Sequence, residues 1–157
     1  WLKRLDELGC CGNTTVMHAL KLVMEFYNMK QVTTFSAYHS DFTPWNMFVE
    51  DEELFVFDWE YAGRTYIPHL DIVHHIVQSS MFAYRPSARE LYDRLFRENS
   101  ALMEQYFESP KIAVLCYLLD IFAKYAIRDA CHETKDTEML QKVRIELINL
   151  ILKNRDK

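Results

Sequence analysis

Hydrophobic residues recur at helical spacing over much of the chain. After Asn13 and Thr14, both favourable helix caps, apolar side chains return every three or four positions to about Met29, which predicts an amphipathic helix. The same spacing predicts four more helices, from Leu70 to about Phe82, from Ser87, from Ser109 to about Ala130, and from about Thr137 to Asn154. We therefore expect the chain to be mainly helical after its first third.

Local signals strengthen two of these helix predictions. Ser87 is followed three residues later by Glu90, which is the spacing of a capping box, and Pro110 follows Ser109 at the first turn of the next helix. From Ile112 onward that helix carries apolar residues on nearly all sides, whereas the last helix carries them on one face. The helix near Ile112 is therefore expected to be the central and most buried one.

The region between the first two long helices has the pattern of strands. Residues 32–38 are rich in β-branched and aromatic side chains, which predicts a short strand. Residues 47–49 and 54–57 are apolar and flank the acidic residues 50–53, which predicts a β-hairpin even though its tip has no glycine. A small β element followed by helices predicts a single α+β domain over residues 1–157.

Composition limits the classes of function. Half of the 157 residues are hydrophobic, which is enough for one packed core. The net charge of -5 and the lack of a Lys/Arg-rich run argue against a nucleic-acid partner. The longest apolar run, residues 112–119, is too short to cross a membrane. The four cysteines have no paired spacing, so we expect reduced thiols and a cytoplasmic protein.

Two absences in the sequence are informative. The chain begins at Trp1 rather than at a methionine, inside what resembles the end of a helix over residues 1–9, so we expect it to be a piece of something longer. It also contains only three glycines, too few for a glycine-rich phosphate loop.

A group of polar residues lies among the most aromatic residues of the chain. Asp41 and Asn46 stand in the loop after the first predicted strand, and Asp58 ends the second strand of the hairpin. A buried carboxylate costs several kcal/mol unless it is paired or binds a metal. Hard oxygen ligands of this kind suit Mg²⁺, which takes the rest of its ligands from water and phosphates. Alternatively, Asp41 forms an Asx turn, Asn46 caps the turn and Asp58 merely ends a strand.

The spacing of these residues resembles a known catalytic motif. His39-Ser40-Asp41, then Asn46, then a hairpin and Asp58, resembles the catalytic loop and the metal-binding Asp of the protein-kinase-like fold. Together with residues 57–63 and 68–71, the pattern is similar to the aminoglycoside phosphotransferase and choline kinase family. The resemblance covers most of this chain as a C-terminal lobe, in which a small hairpin carries the catalytic loop. It does not include the N-terminal nucleotide lobe.

The resemblance implies a role for each motif residue. Asp41 would be the catalytic residue that orients the acceptor hydroxyl and takes its proton, while Asn46 and Asp58 would bind Mg²⁺. His39 would have an architectural role, holding the loop against the strand that follows the hairpin. Asp71 would tie down the segment behind the site without touching substrate. These roles are expectations carried over from the family.

Two residues depart from the pattern of the family. Ser40 stands where many members have glycine, a change that the loop should accept if its backbone is not left-handed there. Glu60 stands where protein kinases have the glycine of their Asp-Phe-Gly motif, as is common in the small-molecule kinases. Glu60 either reaches a second metal ion or is a surface or Arg-paired carboxylate.

The family implies a phosphotransferase that uses Mg²⁺ and ATP, or another nucleoside triphosphate. Its acceptor would be a hydroxyl group of a small molecule, such as a sugar, an aminoglycoside, choline or homoserine. Without its nucleotide lobe, the isolated chain is expected to be inactive and to associate with itself or with that lobe. The alternative from another functional class is a catalytically inactive kinase-like lobe that serves as a binding or scaffolding module.

A third possibility is a histidine and aspartate metal site of the phosphohydrolase kind. His69, Asp71, His74 and His75 are close in sequence, and Asp71 shares a helical face with His74 or His75. Such a site needs a further ligand such as His132, and it leaves the hairpin and Asp58 unexplained. Histidines that simply pack in the fold are the commoner outcome.

Overall fold

The computed structural model describes residues 13–30, 35–129 and 135–154 and confirms an α+β protein. The helices are α1 (Thr14–Lys30), α2 (Leu70–Tyr84), α3 (Ala88–Asp93), α4 (Ser100–Tyr106), α5 (Pro110–Asp129) and α6 (Lys135–Lys153). The strands are β1 (Ser36–Tyr38), β2 (Met47–Glu50), β3 (Glu53–Val56) and β4 (Gly63–Tyr66). The helix end expected over residues 1–9 and the first residues of the expected strand at 32–38 lie outside the described ranges.

The central position of α5 is confirmed. Every residue from 113 to 123 is buried, and α5 packs against α1, α2 and α6. A helix with apolar side chains on all sides is stable only when neighbours cover it, which explains this position. None of the helices in the described ranges combines the length and apolar composition that a membrane crossing requires.

The helix expected from Ser87 begins as predicted but does not continue unbroken. The Ser87 side chain accepts a hydrogen bond from the Glu90 amide, and the Glu90 carboxylate accepts one from the Ser87 amide, so the capping box is confirmed. After α3 the chain forms a π-helical turn at Arg94–Glu98 before α4. The backbone and side-chain amides of Asn99 both donate to the Arg94 carbonyl, at 3.1 and 2.9 Å, which widens the helix at this point.

The strands form two separate antiparallel pairs. β1 pairs with β4, a strand that the sequence pattern did not predict, and β2 pairs with β3 as the expected hairpin. Asp51 and Glu52 at the hairpin tip are both left-handed, with φ of 50° and 66°, although neither is glycine. The tip therefore adopts the positive φ angles that the right-handed twist of a hairpin favours, at some cost in strain.

These elements bring three parts of the chain together. β1 ends at Tyr38, directly before His39, and the hairpin returns the chain to residues 57 and 58. α2 starts at Leu70, and Asp71 in its first turn accepts hydrogen bonds from the loop after β1. The polar residues of the motif are therefore neighbours in space as well as in sequence.

Candidate functional site

The loop after β1 is closed by a contact between two motif residues. The Asn46 side-chain amide donates to the Asp41 carbonyl at 3.0 Å and to its carboxylate Oδ2 at 2.7 Å. Its amide nitrogen has to face Asp41, because a carbonyl oxygen would be repelled by the carboxylate. Asn46 is buried and Asp41 is partly exposed. Thus Asn46 Oδ1 remains as the atom that could face a cation.

The hairpin returns to this loop at Phe57. The Phe57 amide donates to the Asn46 carbonyl at 3.1 Å, and the Phe57 carbonyl accepts from His39 Nε2 at 2.9 Å. Because a carbonyl can only accept, the His39 proton lies on Nε2, and Nδ1 accepts from the Asp41 amide at 3.3 Å. His39 thus makes the contact that its expected architectural role requires.

Asp58 follows directly on the residue that is bonded to Asn46. It is exposed and left-handed, with φ of 64° and ψ of 57°, and the short 3-10 helix Trp59–Tyr61 begins after it. A non-glycine residue in this region costs about 1–2 kcal/mol, and such strain is concentrated at functional sites. The backbone therefore places Asp58 beside Asn46; that the side chains of Asp41, Asn46 and Asp58 share one cation stays a prediction.

Asp71 holds the start of the loop from behind. Its carboxylate accepts from the His39 amide at 2.9 Å and from the Ser40 amide at 3.2 Å. Burial raises the pKa of Asp71 above its usual value, and the two amide hydrogen bonds oppose that shift. Both carboxylate oxygens are used by backbone groups, as the expected supporting role of Asp71 requires.

The condition that we attached to Ser40 is not met. Its backbone is left-handed, with φ of 74°, so the serine is strained at a position that favours glycine. In return its hydroxyl accepts from Lys124 Nζ at 2.7 Å. Lys124 also pairs with Asp120 at 2.7 Å and lies over the rings of Tyr38 and Tyr66. The serine thus has a strained backbone conformation but gains a hydrogen bond to α5.

Sequence reasoning missed both Lys124 and His74 as neighbours of the motif. Lys124 could have been noticed because it stands four residues after Asp120 on an otherwise apolar helix. His74 lies one turn after Asp71 and points its Nε2 at Asp41 Oδ1, 3.5 Å away. Burial lowers the pKa of His74 to about 3, so its imidazole is neutral.

The outer side of the site is acidic. The Glu60 carboxylate raises the pKa of the neighbouring Tyr61 hydroxyl, and the carboxylates of Asp58 and Asp41 add to that effect. All of these side chains are at least partly exposed. A patch of negative charge open to solvent is a suitable environment for a divalent cation. Whether Glu60 contacts a second metal ion stays a prediction.

The oxygen donors at the site fit Mg²⁺ better than a metal that needs a full protein cage. Within the described ranges, no group of three or more His, Cys, Asp and Glu side chains could hold a metal ion. Mg²⁺ is usually bound through one or two carboxylates together with substrate phosphates and water. Asp58 and Asn46 Oδ1 match such a partial set of ligands.

The histidine and aspartate alternative finds no shared site in the described part of the chain. Asp71 is occupied by two backbone amides, and His74 points at Asp41. The rings of His69 and His75 pack against different aromatic side chains. His132 lies outside the described residues. The described members of the proposed cluster are therefore turned towards separate partners.

Comparison of the chain with protein-family models, with curated proteins and with solved structures finds no match. Its function therefore has to be inferred from the residues and their geometry.

Proposed function

We propose that this chain is the catalytic-loop lobe of a small-molecule phosphotransferase that resembles the aminoglycoside phosphotransferase and choline kinase family. The observation that carries the proposal is the closure of the motif at Phe57, which bonds both Asn46 and His39. This contact brings the hairpin return, and with it Asp58, to the loop that contains Asp41. The alternative in which these are unrelated turn residues accounts for the Asn46 bond, which continues the ladder of the hairpin, but gives no reason for the His39 bond.

In the proposed reaction, the phosphoryl group of ATP or another nucleoside triphosphate moves to a hydroxyl oxygen of the acceptor. Asp41 orients that hydroxyl and accepts its proton as the oxygen–phosphorus bond forms and the nucleoside diphosphate leaves. Asn46 and Asp58 would hold Mg²⁺, which supplies charge neutralisation for the phosphates. The residues of this chain act mainly by positioning, which is the main demand of phosphoryl transfer.

The proposal includes a second lobe for the nucleotide. The chain has too few glycines for a phosphate loop, and its candidate site is acidic on the outer side. Nucleotide phosphates need backbone amides or cations as well as Mg²⁺. The acceptor class is a sugar, an aminoglycoside or an amino alcohol, and the chain supplies its catalytic residue.

A phosphate-transfer assay tests the proposal. The protein that carries this chain is incubated with Mg²⁺, ATP and a panel of sugars, aminoglycosides, choline and homoserine, and phosphorylated acceptor is measured. We expect transfer to at least one acceptor and a loss of about 10²–10⁴-fold in kcat for Asp41→Asn. Asp51→Asn, at the hairpin tip, is the matched control and should keep full activity. Equal activity in both variants would exclude Asp41 as the base.

One observation favours a second candidate, a kinase-like lobe that acts only as a binding module. The hairpin exposes Phe48, Val49, Leu54 and Phe55, and the rings of Phe48 and Phe55 stack at 5.1 Å. An exposed apolar surface of this kind is typical of an interaction site. This candidate predicts no phosphate transfer to any acceptor and no functional effect of Asp41→Asn.

A further inference from the structure

A buried histidine lies between the proposed catalytic residue and a buried tyrosine. His74, on α2, is only 3% exposed. Its Nε2 lies 3.5 Å from Asp41 Oδ1, and its Nδ1 lies 3.4 Å from the Tyr38 hydroxyl. Within the described residues, Nε2 has no hydrogen-bond partner at standard geometry, so Asp41 is the group it faces. Contacts at catalytic sites are often this long before substrate binds.

The neighbours of His74 determine which nitrogen carries its proton. Burial lowers the pKa of His74 to about 3 and raises the pKa of Tyr38, so the imidazole is neutral and the phenol keeps its proton. With the proton on Nε2, the ring donates towards Asp41 and Nδ1 accepts from the Tyr38 hydroxyl. With the proton on Nδ1, a lone pair on Nε2 would face the carboxylate. The first arrangement gives Nδ1 a donor and turns the Nε2 proton towards the carboxylate, whereas the second leaves a repulsive contact.

We propose that His74, protonated on Nε2, is a positioning residue that holds the Asp41 carboxylate in the orientation from which it accepts the proton of the acceptor hydroxyl. The inference rests on the phosphotransferase function proposed above. His74 Nε2 faces Oδ1 at 3.5 Å, while the Asn46 side-chain amide donates to Oδ2 at 2.7 Å. Each carboxylate oxygen keeps a further lone pair for the acceptor hydroxyl.

His74 itself transfers no proton in this arrangement. The proton of the acceptor goes to Asp41, and His74 keeps its Nε2 proton throughout. Its contribution is to stop the partly exposed carboxylate from rotating about its Cα–Cβ and Cβ–Cγ bonds. Holding a reacting group in a productive geometry can contribute as much to the reaction rate as direct contacts with the substrate do.

Nuclear magnetic resonance of the protein with ¹⁵N-labelled histidine tests the arrangement without an assay of activity. Long-range ¹H–¹⁵N correlations distinguish the two neutral tautomers and the charged form. We expect the Nε2–H tautomer of His74 from about pH 5 to 8, and an upfield shift of its Nε2 proton in Asp41→Asn. In Tyr38→Phe, we expect the Nδ1–H tautomer to gain population, because Nδ1 loses its donor. A mainly Nδ1–H or charged His74 in the unsubstituted protein would overturn the inference.

Kinetics of two His74 variants test the role in catalysis. His74→Leu removes the donor and should lower kcat by about 10²-fold with little change in KM. His74→Gln places an amide N–H near the same position and should recover most of that loss. His75→Gln, the next residue, is the matched control and should retain kcat. If His74→Leu keeps full kcat, or if the Gln variant is as impaired as the Leu variant, the inference is wrong.

The two experiments separate failure of the inference from failure of the proposed function. If the unsubstituted protein transfers phosphate and His74→Leu is fully active, the function stands and the positioning role of His74 is overturned. If no acceptor is phosphorylated, the proposed function fails together with the catalytic part of the inference. The tautomer and its response to Asp41→Asn then still decide whether His74 holds the carboxylate.

Discussion

At the scale of single residues, the candidate site is held by side chains that bond backbone groups. Asp71 accepts from two consecutive amides, Asn46 returns to the carbonyl and carboxylate of Asp41, and His39 joins the loop to Phe57. All of these bonds except that from Asn46 to the Asp41 carboxylate involve a backbone group of the loop or of Phe57. The loop is therefore rigid where a catalytic carboxylate would need it to be.

Ser40 provides a test of the strain at this site. Ser40→Gly relieves the left-handed backbone but loses the bond from Lys124, whereas Ser40→Ala loses the bond and keeps the strain. We expect the glycine variant to be more stable than the alanine variant by about 1–2 kcal/mol. Both variants lose the hydrogen bond from Lys124, so the difference between their free energies of unfolding reports the backbone strain. Urea denaturation of both proteins measures this difference. Equal stability of the two variants would show that the position carries no strain.

His74 predicts a dependence of stability on acid. Burial lowers the pKa of His74 from its ordinary value of 6.5 to about 3. Between pH 3 and 6.5, this histidine therefore binds a proton more readily in the unfolded chain than in the folded protein. The free energy of unfolding should therefore fall as pH drops below 6.5, with a contribution that approaches about 1.4 kcal/mol per pH unit. His74→Gln should remove that slope, whereas His18→Gln, on the exposed face of α1, should keep it. Denaturation curves from neutral to mildly acidic pH measure the slopes; a variant slope equal to the original would contradict the prediction.

The sequence predicts some residues of the site better than others. Asp41, Asn46 and Asp58 belong to one spacing pattern, so they could be selected together from the chain alone. Lys124 on α5 lies 84 positions after its partner Ser40, and His74 on α2 lies more than 30 positions after Asp41. Their contacts therefore depend on how α5 and α2 pack. No local pattern encodes such packing. The left-handed backbone of Ser40 was signalled only by the glycine that many members of the resembling family have at this position, because a serine does not itself favour that conformation.

At the scale of elements, the central helix α5 and the β2–β3 hairpin differ in how much of each is buried against the rest of the fold. Residues 113–123 of α5 are all buried, whereas both strands of the β2–β3 hairpin expose most of their side chains. The hairpin is attached to the rest of the fold chiefly at its base, where Phe57 bonds Asn46 and His39. The stability of the domain therefore depends on α5 far more than on the hairpin.

A pair of leucine variants tests this difference. Leu118 on α5 is fully buried, and Leu54 on β3 is 54% exposed. Leu118→Ala should destabilise the protein by roughly 2–5 kcal/mol, because it leaves a cavity in the core. Leu54→Ala, the same chemical change, should alter the free energy of unfolding by less than about 0.5 kcal/mol. Thermal or urea denaturation checks both values; similar losses would mean that the hairpin is packed.

Elements with strong local signals were predicted, and those defined by distant pairing were not. The capping box at Ser87 and the proline at the start of α5 act within one turn, so the sequence alone is sufficient. β4 was missed because its short segment becomes a strand only by pairing with β1. The π-helical turn was missed because it depends on Asn99 bonding back to Arg94.

At the scale of the whole molecule, the exposed aromatic residues are concentrated around the hairpin and the motif. The Phe48 ring contacts those of Phe55 and Phe57, and Trp45 packs edge-on against Phe82. All five are more than two-fifths exposed. A surface of this kind is typically covered by another protein surface. In the proposed phosphotransferase it would face the second lobe.

An isolated chain with this surface is expected to associate with itself. Phe48→Ser should weaken that association without lowering stability, because the ring is not part of the core. Met29→Ser, on the exposed side of α1, is the matched control, since it removes an even more exposed apolar side chain elsewhere. Sedimentation velocity over a range of concentrations measures the effect. A monomer at all concentrations, or equal effects of both variants, would show that the hairpin does not mediate association.

The central claim is that the loop of Asp41 and Asn46 forms one cation site with Asp58. Mn²⁺ replaces Mg²⁺ at oxygen sites and broadens the resonances of nearby nuclei, so titration of the ¹⁵N-labelled chain with Mn²⁺ locates the site directly. We expect the amide signals of residues 41, 46 and 58 to broaden first, and Asp58→Ala to abolish the effect while Asp51→Asn at the hairpin tip leaves it unchanged. Broadening centred on the acidic residues 50–53 that persists in Asp58→Ala would contradict the claim.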